Sequence, residues 1–251
     1  MLALITGASS GLGKDFAYKF SKEGYDLILV ARSKEKLEEI KKDLNTNVRI
    51  EIMDLTIKEN VLELYEKYKG KIDLLINNAG FGDCGEFHNT DLDKELNMID
   101  LNIVSYHILT KLFLKDFISK NKGEILNVAS SAAFQPGPLM ATYYSTKSYV
   151  YNLTMSIYEE LRNNKSKVKV HVLCPGPVDT NFSRRAEVKF CLKYATSDYV
   201  TQYAIKQMKK NKLIIVPGLT IKLGVFLSRF VSRKFVIKMI YKIQKKKKYK
   251  E

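Results

Sequence analysis

Short apolar runs alternate along the chain with longer segments in which apolar residues recur at helical spacing. Each apolar run is five to seven residues long, which suits a buried strand better than an amphipathic helix. The runs lie at residues 2–6, 26–31, 48–52, 72–76, 124–129 and 168–174. Buried strands that alternate with helices predict an α/β protein, built as a doubly wound parallel sheet between two layers of helices. Ligands bind beyond the carboxyl ends of the strands in such sheets, so residues that follow the runs are candidates for a site.

A glycine-rich turn follows the first strand. Thr6 to Gly13 reads Thr-Gly-Ala-Ser-Ser-Gly-Leu-Gly, and Phe16, Ala17 and Phe20 then recur at helical spacing. Glycine lets the backbone approach a pyrophosphate closely, and the N-terminus of the following helix attracts its negative charge. Glycines in a strand-to-helix turn can also serve the turn alone. With a strand before it and a helix after it, the turn predicts a dinucleotide phosphate site.

The second strand ends in Ala31-Arg32-Ser33 and carries no carboxylate there. In dinucleotide folds, an acidic residue about 20 positions beyond the glycine turn holds the ribose 2′-hydroxyl of NAD, whereas an arginine accommodates the 2′-phosphate of NADP. Arg32 therefore favours NADP over NAD, although an arginine at a strand end can also be a plain surface residue.

Ser130, Tyr143 and Lys147 follow the fifth strand and form a candidate proton-transfer group. Tyr143 and Lys147 are four residues apart at the start of a long helical segment, so their side chains share one helix face. A tyrosine has a pKa near ~10, and a neighbouring ammonium lowers that pKa because it favours the phenolate. The spacing predicts a tyrosine tuned for acid–base catalysis, although the same spacing alone is also typical of a solvated helix face.

Composition and charge divide the chain into two parts. It has 251 residues, 45% of them hydrophobic and 27% charged, as expected for a globular protein with a sizeable core. The formal net charge is +15, and residues 203–251 hold 15 of the 42 lysines and arginines but only one of the 27 acidic residues. The sequence thus predicts a nearly neutral domain at residues 1–218 and a basic tail at residues 219–251.

The three cysteines, Cys84, Cys174 and Cys191, include no closely spaced pair. Their odd number and wide spacing predict a reducing compartment and argue against a disulfide framework and a zinc site, so no metal is expected. A strand-like run starts directly after Met1, and no uncharged apolar run reaches about 18 residues, so neither a signal peptide nor a spanning helix is expected. We expect a cytoplasmic location, with a peripheral membrane location as the alternative.

Taken together, these motifs resemble those of the short-chain dehydrogenase/reductase family. The resemblance covers roughly residues 2–218. Its features are Thr-Gly-x-x-x-Gly-x-Gly at 6–13, Asn-Asn-Ala-Gly at 77–80, a helical asparagine at Asn102, Ser130, Tyr-x-x-x-Lys at 143–147 and Pro-Gly-Pro-Val-x-Thr at 175–180. Within the family, the sequence is similar to a bacterial subgroup related to 3-oxoacyl-thioester and hydroxysteroid reductases. The implied fold is a Rossmann-like sheet of about seven strands in a three-layer α/β/α arrangement.

The resemblance implies hydride transfer between NADP and a carbonyl or secondary alcohol. Tyr143 would protonate the carbonyl oxygen, and Ser130 would hydrogen-bond to the same oxygen. Lys147 would lower the tyrosine pKa and hold the nicotinamide ribose, and Asn102 would anchor a water in a proton relay. The positions implied to bind the cofactor are Thr6, Gly7, Ser9, Ser10, Gly11, Leu12, Gly13, Arg32, Ser33, Asp54, Leu55, Asn78, Ala79, Gly80, Tyr143, Lys147, Pro175, Gly176, Val178 and Thr180. Ser10 stands where many NADP-dependent members carry a basic residue, so recognition of the 2′-phosphate would depend on Arg32 and nearby hydroxyls.

The same relatives imply an apolar carbonyl substrate. Residues that could line its site are Phe81, Phe134, Leu139, Met140, Phe182 and Phe190, with plain loop packing as the alternative. Members usually form homodimers or homotetramers through the helices that contain Asn102 and Tyr143. A competing hypothesis is a non-catalytic protein of the same fold that binds a cofactor, docks on a membrane or regulates a partner.

The basic tail alternates apolar residues with lysines and arginines from Leu219 to Ile243, and Lys245–Lys248 follow. This basic amphipathic pattern is typical of helices that lie on anionic membrane surfaces. Three interpretations stay open: the tail covers the substrate site, it contacts a membrane, or its lysine run is disordered and solvated. The tail carries no recognised nucleic-acid-binding module, so nucleic acid is not expected as a partner.

Overall fold

The computed structural model describes residues 1–179 and 195–245, and for Arg229 the backbone only. The strands are β1 (Leu2–Thr6), β2 (Asp26–Ala31), β3 (Val48–Ile52), β4 (Leu74–Asn77), β5 (Glu124–Val128), β6 (Lys169–Leu173), β7 (Val178–Asp179), β8 (Ala195–Thr196) and β9 (Ile214–Ile215). The helices are α1 (Gly11–Lys22), α2 (Lys34–Lys42), α3 (Lys58–Tyr68), α4 (Leu92–Ile99), α5 (Ser105–Lys120), α6 (Ala141–Asn163), α7 (Ser197–Met208), α8 (Leu219–Leu227) and α9 (Arg233–Lys245). Among these residues, no helix is both long enough and apolar enough to cross a bilayer.

Seven of the strands form one parallel sheet in the order β3-β2-β1-β4-β5-β6-β9. The chain reverses its direction across the sheet between β1 and β4, which creates the crevice where doubly wound sheets bind nucleotides. The predicted fold class is therefore confirmed. The two-residue strand β9 was not predicted, because so short a strand leaves no periodic signal. The small β7–β8 pair lies outside the main sheet.

The core consists of two apolar layers, one on each face of the sheet. Strand β1 shows how one strand supplies both layers: Ala3 and Ile5 face the layer formed with α1, α2 and α7, whereas Leu4 faces the layer formed with α3, α5 and α6. This alternation follows from the two-residue period of a strand. Because both faces are covered, the sheet opens to solvent only at its ends and edges.

The helical segment that contains Asn102 is interrupted. Helix α4 ends at Ile99, a single π turn spans Asp100–Val104, and α5 begins at Ser105. The apolar stripe continues through the interruption, so periodicity alone could not show it. A π turn inserted in an α-helix frequently marks a functional position, and Asn102 lies in this one.

Candidate active site

Helix α6 carries Tyr143 and Lys147 on the face that turns towards the carboxyl end of β5. Two hydrogen bonds hold that face in place: Lys147 Nζ donates to the Val128 carbonyl at 3.0 Å, and Ser148 Oγ donates to the Ala133 carbonyl at 2.9 Å. Ser130 directly follows β5 and its backbone turns into a short 3₁₀ turn, where the Ala132 amide donates to Ser130 Oγ at 3.1 Å. The Ser130 side chain is hydrogen-bonded to the Tyr143 phenol. The structure thus brings the three predicted residues together.

The ionisation of Tyr143 differs from the sequence-based prediction. Tyr143 is 9% exposed, and burial raises the pKa of its phenol well above the usual value, although the hydrogen bond with Ser130 opposes that rise. Lys147 lies over the Tyr143 ring, with Nζ 6.0 Å from the ring centroid. Burial lowers the pKa of Lys147 to about 8. In this structure the shift therefore runs opposite to the lowering predicted from Lys147, and the phenol holds its proton at neutral pH.

Asn102 joins the loop after β4 to helix α6. Its side chain is fully buried, its Oδ1 accepts from the Phe81 amide at 3.2 Å, and its Nδ2 donates to the Phe81 carbonyl at 2.9 Å. The same Nδ2 donates to Thr146 Oγ1 at 3.1 Å, next to Lys147 in sequence. The Asn102 side chain thus positions the loop and the helix against each other. The implied water relay stays a prediction.

The glycine-rich turn is held in a tightly packed conformation at the N-terminus of α1. Gly7 adopts a left-handed backbone with φ of +66°, and a Cβ at Gly13 would lie 2.3 Å from the Gly7 carbonyl oxygen. Asn78 closes the turn from the neighbouring strand, because its Nδ2 donates to the Thr6 carbonyl at 3.0 Å. Thr6 Oγ1 accepts from the amides of Asn78 and Ala79. Glycine and the open helix N-terminus therefore leave backbone N–H groups accessible to a phosphate.

Arg32 and Asp54 form an ion pair at the ends of β2 and β3. Their Nη1 and Oδ2 atoms are 3.3 Å apart, and the Arg32 side chain is 62% exposed. Partial burial opposes ionisation of Asp54, but hydrogen bonds from Thr56 and the pair with Arg32 hold the pKa of the carboxyl below its usual range. The contact is exposed and weak, so Arg32 is free to turn towards an anion without a large cost.

One cavity of about 780 Å³ connects these groups, a volume typical of cofactor and small-molecule sites. The predicted residues that line it are Gly7, Ser9, Ser10, Gly11, Leu12, Arg32, Ser33, Asp54, Leu55, Asn78, Ala79, Gly80, Ser130, Met140, Tyr143, Lys147, Pro175, Gly176 and Val178. Thr6, Gly13 and Asn102 lie behind this wall and support it. Thr180, Phe182 and Phe190 fall outside the described residues. The glycine turn, the helix N-terminus and the cationic end fit a nicotinamide dinucleotide.

Of the apolar residues predicted to meet the substrate, only one of the four that the structure describes lines this cavity. Met140 does, whereas Phe81, Phe134 and Leu139 do not. Phe134 instead packs edge-to-face on Tyr151, with the ring centroids 5.0 Å apart. The position of these residues near the motifs in the sequence did not predict where their side chains point, because loop side chains pack wherever neighbouring elements leave space.

The basic tail forms part of the cavity wall. The residues of the tail that line the cavity were not predicted individually from the sequence. Val236, Ile240 and Gln244, spaced four apart on α9, line the cavity, together with Ile221 and Val225 of α8. Gln244 is 1% exposed and its Nε2 donates to the Tyr144 hydroxyl at 2.6 Å. The interpretation that the tail covers the site is therefore favoured. The division of the chain at Gly218 stays a prediction.

Lys36 also lines the cavity and was not predicted from the sequence. It lies in the first turn of α2, four positions after Arg32, and lines the same end of the cavity. The signal was present in the cluster of charges at the start of α2, but that cluster is also typical of a solvated helix.

A family model described as short chain dehydrogenase matches residues 1–189. The chain belongs to the short-chain dehydrogenase family. An uncharacterized oxidoreductase of Staphylococcus epidermidis is 33% identical over 182 residues, which cover 71% of this chain and 78% of that protein. The very-long-chain 3-oxoacyl-CoA reductase-B of Danio rerio is 34% identical over 191 residues, covering 72% of this chain and 61% of the relative. A short-chain dehydrogenase from Sphingobium yanoikuyae, solved in complex with NADPH, is 28% identical with a TM-score of 0.81 over 87% of this chain and 88% of that one.

Membership of the short-chain dehydrogenase family supports oxidoreductase activity on an alcohol or carbonyl group with a nicotinamide nucleotide. The recognised family and the observed cavity agree, since the residues that carry the family motifs meet in one place.

Proposed function

We propose that this short-chain dehydrogenase reduces the carbonyl group of an apolar substrate with NADPH, with Tyr143 as the general acid. The observation that carries the proposal is the buried Tyr143 phenol, hydrogen-bonded to Ser130 on the wall of the cavity that the glycine turn also lines. A phenol with a raised pKa holds its proton at neutral pH, which is the state that a proton donor needs. The cofactor, when bound, supplies the hydride.

The protein's own residues orient the substrate carbonyl and manage its proton. Ser130 and Tyr143 place two hydroxyl donors where the oxygen gains negative charge during reduction. Proton transfer leaves a phenolate on Tyr143, and the nearby Lys147 ammonium stabilises that charge. Asn102 acts indirectly on Lys147, because its hydrogen bond to Thr146 fixes the helix turn that carries Lys147.

The apolar nature of the substrate follows from the tail side of the cavity. Val236, Ile240 and Ile221 line the same cavity as the catalytic residues and offer no charge to a bound molecule. The 3-oxoacyl-CoA reductase relative supports an acyl or comparably apolar ketone. Formation of one alcohol and one NADP per ketone consumed tests this function, and the absence of any alcohol product from apolar ketones would contradict it.

We also propose that the protein assembles as a homodimer or homotetramer through α4, α5 and α6. Exposed apolar residues on α4 and α5 support an interface: Leu92 and Leu96 of α4 are 68% and 48% exposed, and Ile118 of α5 is 50% exposed. Exposed apolar side chains that lie on neighbouring helices are typical of protein–protein contacts.

Arg32→Asp is expected to change the cofactor preference. Arg32 and Lys36 line the end of the cavity where the adenosine ribose would bind. A carboxylate there would repel a 2′-phosphate and would accept a hydrogen bond from the 2′-hydroxyl of NAD. We expect the ratio of kcat/KM for NADPH to that for NADH to fall by about 100-fold, in line with the loss of a charge-assisted contact and the gain of a repulsive one.

The matched control for this prediction is Arg49→Asp, which makes the same charge change on β3 away from the cavity lining. The control should leave the cofactor ratio within about twofold of the parent, as expected for a remote surface charge. An unchanged ratio in Arg32→Asp would refute the role of Arg32 in 2′-phosphate recognition.

A further inference from the structure

Helix α8 presents mostly apolar residues to water, and Thr220 and Lys222 are its only polar side chains. Its sequence is Leu-Thr-Ile-Lys-Leu-Gly-Val-Phe-Leu, and Ile221 and Val225 point to the cavity. On its outer side, Leu219 is 82% exposed, Leu223 57% and Phe226 54%. A helix with so few polar side chains is normally covered on every side, by protein or by lipid.

The exposed apolar surface continues past the end of α8. Phe230 is 72% exposed, and its ring lies 5.2 Å from that of Phe226. We call Leu219, Leu223, Phe226, Leu227 and Phe230 the outer patch. None of its residues lines the cavity. A contiguous group of exposed apolar residues such as the outer patch marks an interaction surface.

Cations accompany the outer patch, and acidic residues do not. On α9, the stripe Lys234, Lys238 and Lys242 is exposed, whereas the stripe Val236, Ile240 and Gln244 faces the cavity. The sequence contains no aspartate or glutamate between Asp198 and Glu251. The segment that carries the patch is therefore uniformly positive.

We propose that the outer patch and the α9 lysines dock this protein on an anionic lipid bilayer. Apolar side chains that enter the acyl region beside lysines that meet headgroup phosphates are the pattern of an interfacial helix. Charge distinguishes between two possible partners for the outer patch, a second copy of the chain and a lipid bilayer. In a two-fold symmetric dimer a surface meets its own copy, so a second copy on this patch would bring lysines close to lysines. A bilayer with anionic headgroups offers the opposite charge.

Docking in this way would place the cavity wall formed by α8 and α9 next to the membrane. The same two helices form the cavity wall with their inner side and the docking surface with their outer side, so an apolar ketone dissolved in the bilayer would have a short path to Tyr143. This consequence rests on the proposed function, whereas the docking itself does not.

Vesicle co-sedimentation of the full-length chain tests the docking. Vesicles of pure phosphatidylcholine are compared with vesicles that contain three parts phosphatidylglycerol to seven parts phosphatidylcholine. We expect the protein to pellet with the anionic vesicles and to stay in the supernatant with the zwitterionic ones. Pelleting should weaken as salt rises, because exposed charges are screened.

Two sets of variants identify the residues responsible. Leu219→Ser, Leu223→Ser and Phe230→Ser together should lower the partition into anionic vesicles at least about tenfold, since each removes apolar area from the lipid contact. The matched control is Ile57→Ser with Leu62→Ser, two exposed apolar residues at α3. Lys234→Gln, Lys238→Gln and Lys242→Gln should also reduce the partition, whereas Lys41→Gln, Lys42→Gln and Lys58→Gln remove the same charge elsewhere and should have little effect.

The outcomes separate the docking from the catalytic proposal. No pelleting with anionic vesicles, or pelleting that the outer-patch variant retains, would overturn the docking. A patch variant that lowers the oligomeric mass in light scattering without changing pelleting would assign the patch to a second copy and would also overturn it. NADPH binding, which needs none of the patch residues, verifies that each variant is folded. Reduction of a water-soluble ketone reports on the catalytic proposal alone.

Discussion

We expect Tyr143→Phe to lose most of the carbonyl reduction and to leave NADPH binding nearly intact. The variant keeps the ring that fills the buried position on α6 but loses the hydroxyl that donates the proton. General acid catalysis contributes about 100- to 10,000-fold to a rate, so kcat should fall within that range. The Kd for NADPH, measured by fluorescence titration, should change less than about threefold, because a single neutral contact of this kind contributes little net free energy.

Tyr144→Phe is the matched control for this substitution. Tyr144 is the next residue, also lines the cavity, and loses only the hydroxyl that accepts from Gln244. It should keep far more activity than Tyr143→Phe does. Equal turnover in Tyr143→Phe and the parent, or a larger loss in Tyr144→Phe, would contradict the assignment of the proton donor.

We expect carbonyl reduction to slow as the pH rises through the pKa of Lys147. Burial lowers that pKa to about 8. Below it the side chain is an ammonium, which stabilises the phenolate that forms on Tyr143 during proton transfer; above it the neutral amine gives no such stabilisation. We expect kcat/KM to be constant from pH 6.5 to 7.5 and to fall about tenfold per pH unit well above the pKa, since kcat/KM reports ionisations of the free enzyme.

Lys147→Met separates this ionisation from others in the protein. Methionine keeps an unbranched apolar chain in the buried position but cannot carry charge. Its kcat/KM should be low at every pH and should lack the alkaline limb. A parent profile that stays flat up to pH 9.5, or a variant that retains the limb, would show that another group is responsible.

The sequence was sufficient for those parts of the site that are encoded locally. Tyr143 and Lys147 share a helix face because they are four residues apart, and Ser130 follows a strand that was predictable from the alternation of elements. The glycine turn between β1 and α1 was predictable for the same reason. In each case the functional group lies within one element or at its end, so short-range spacing determines its place.

The parts that could not be predicted depend on distant contacts. Gln244 meets Tyr144 across 100 residues of chain, and no local pattern specifies such a partner. The direction of the Tyr143 pKa shift was missed because its largest cause is burial, which is a property of the packed structure. Phe134 was expected at the substrate and instead packs on Tyr151, since the choice between two apolar surroundings is made by tertiary packing.

The most direct test of the central claim is NADPH consumption at 340 nm by the full-length protein and by Tyr143→Phe over one panel of carbonyl compounds. The panel holds 3-oxoacyl thioesters, keto-steroids, aromatic and aliphatic ketones, and aldehydes. We expect the parent to oxidise NADPH with at least one apolar ketone and Tyr143→Phe to show no such oxidation. Tight NADPH binding without turnover on every member of the panel would contradict it and would favour a non-catalytic, cofactor-binding protein of the same fold.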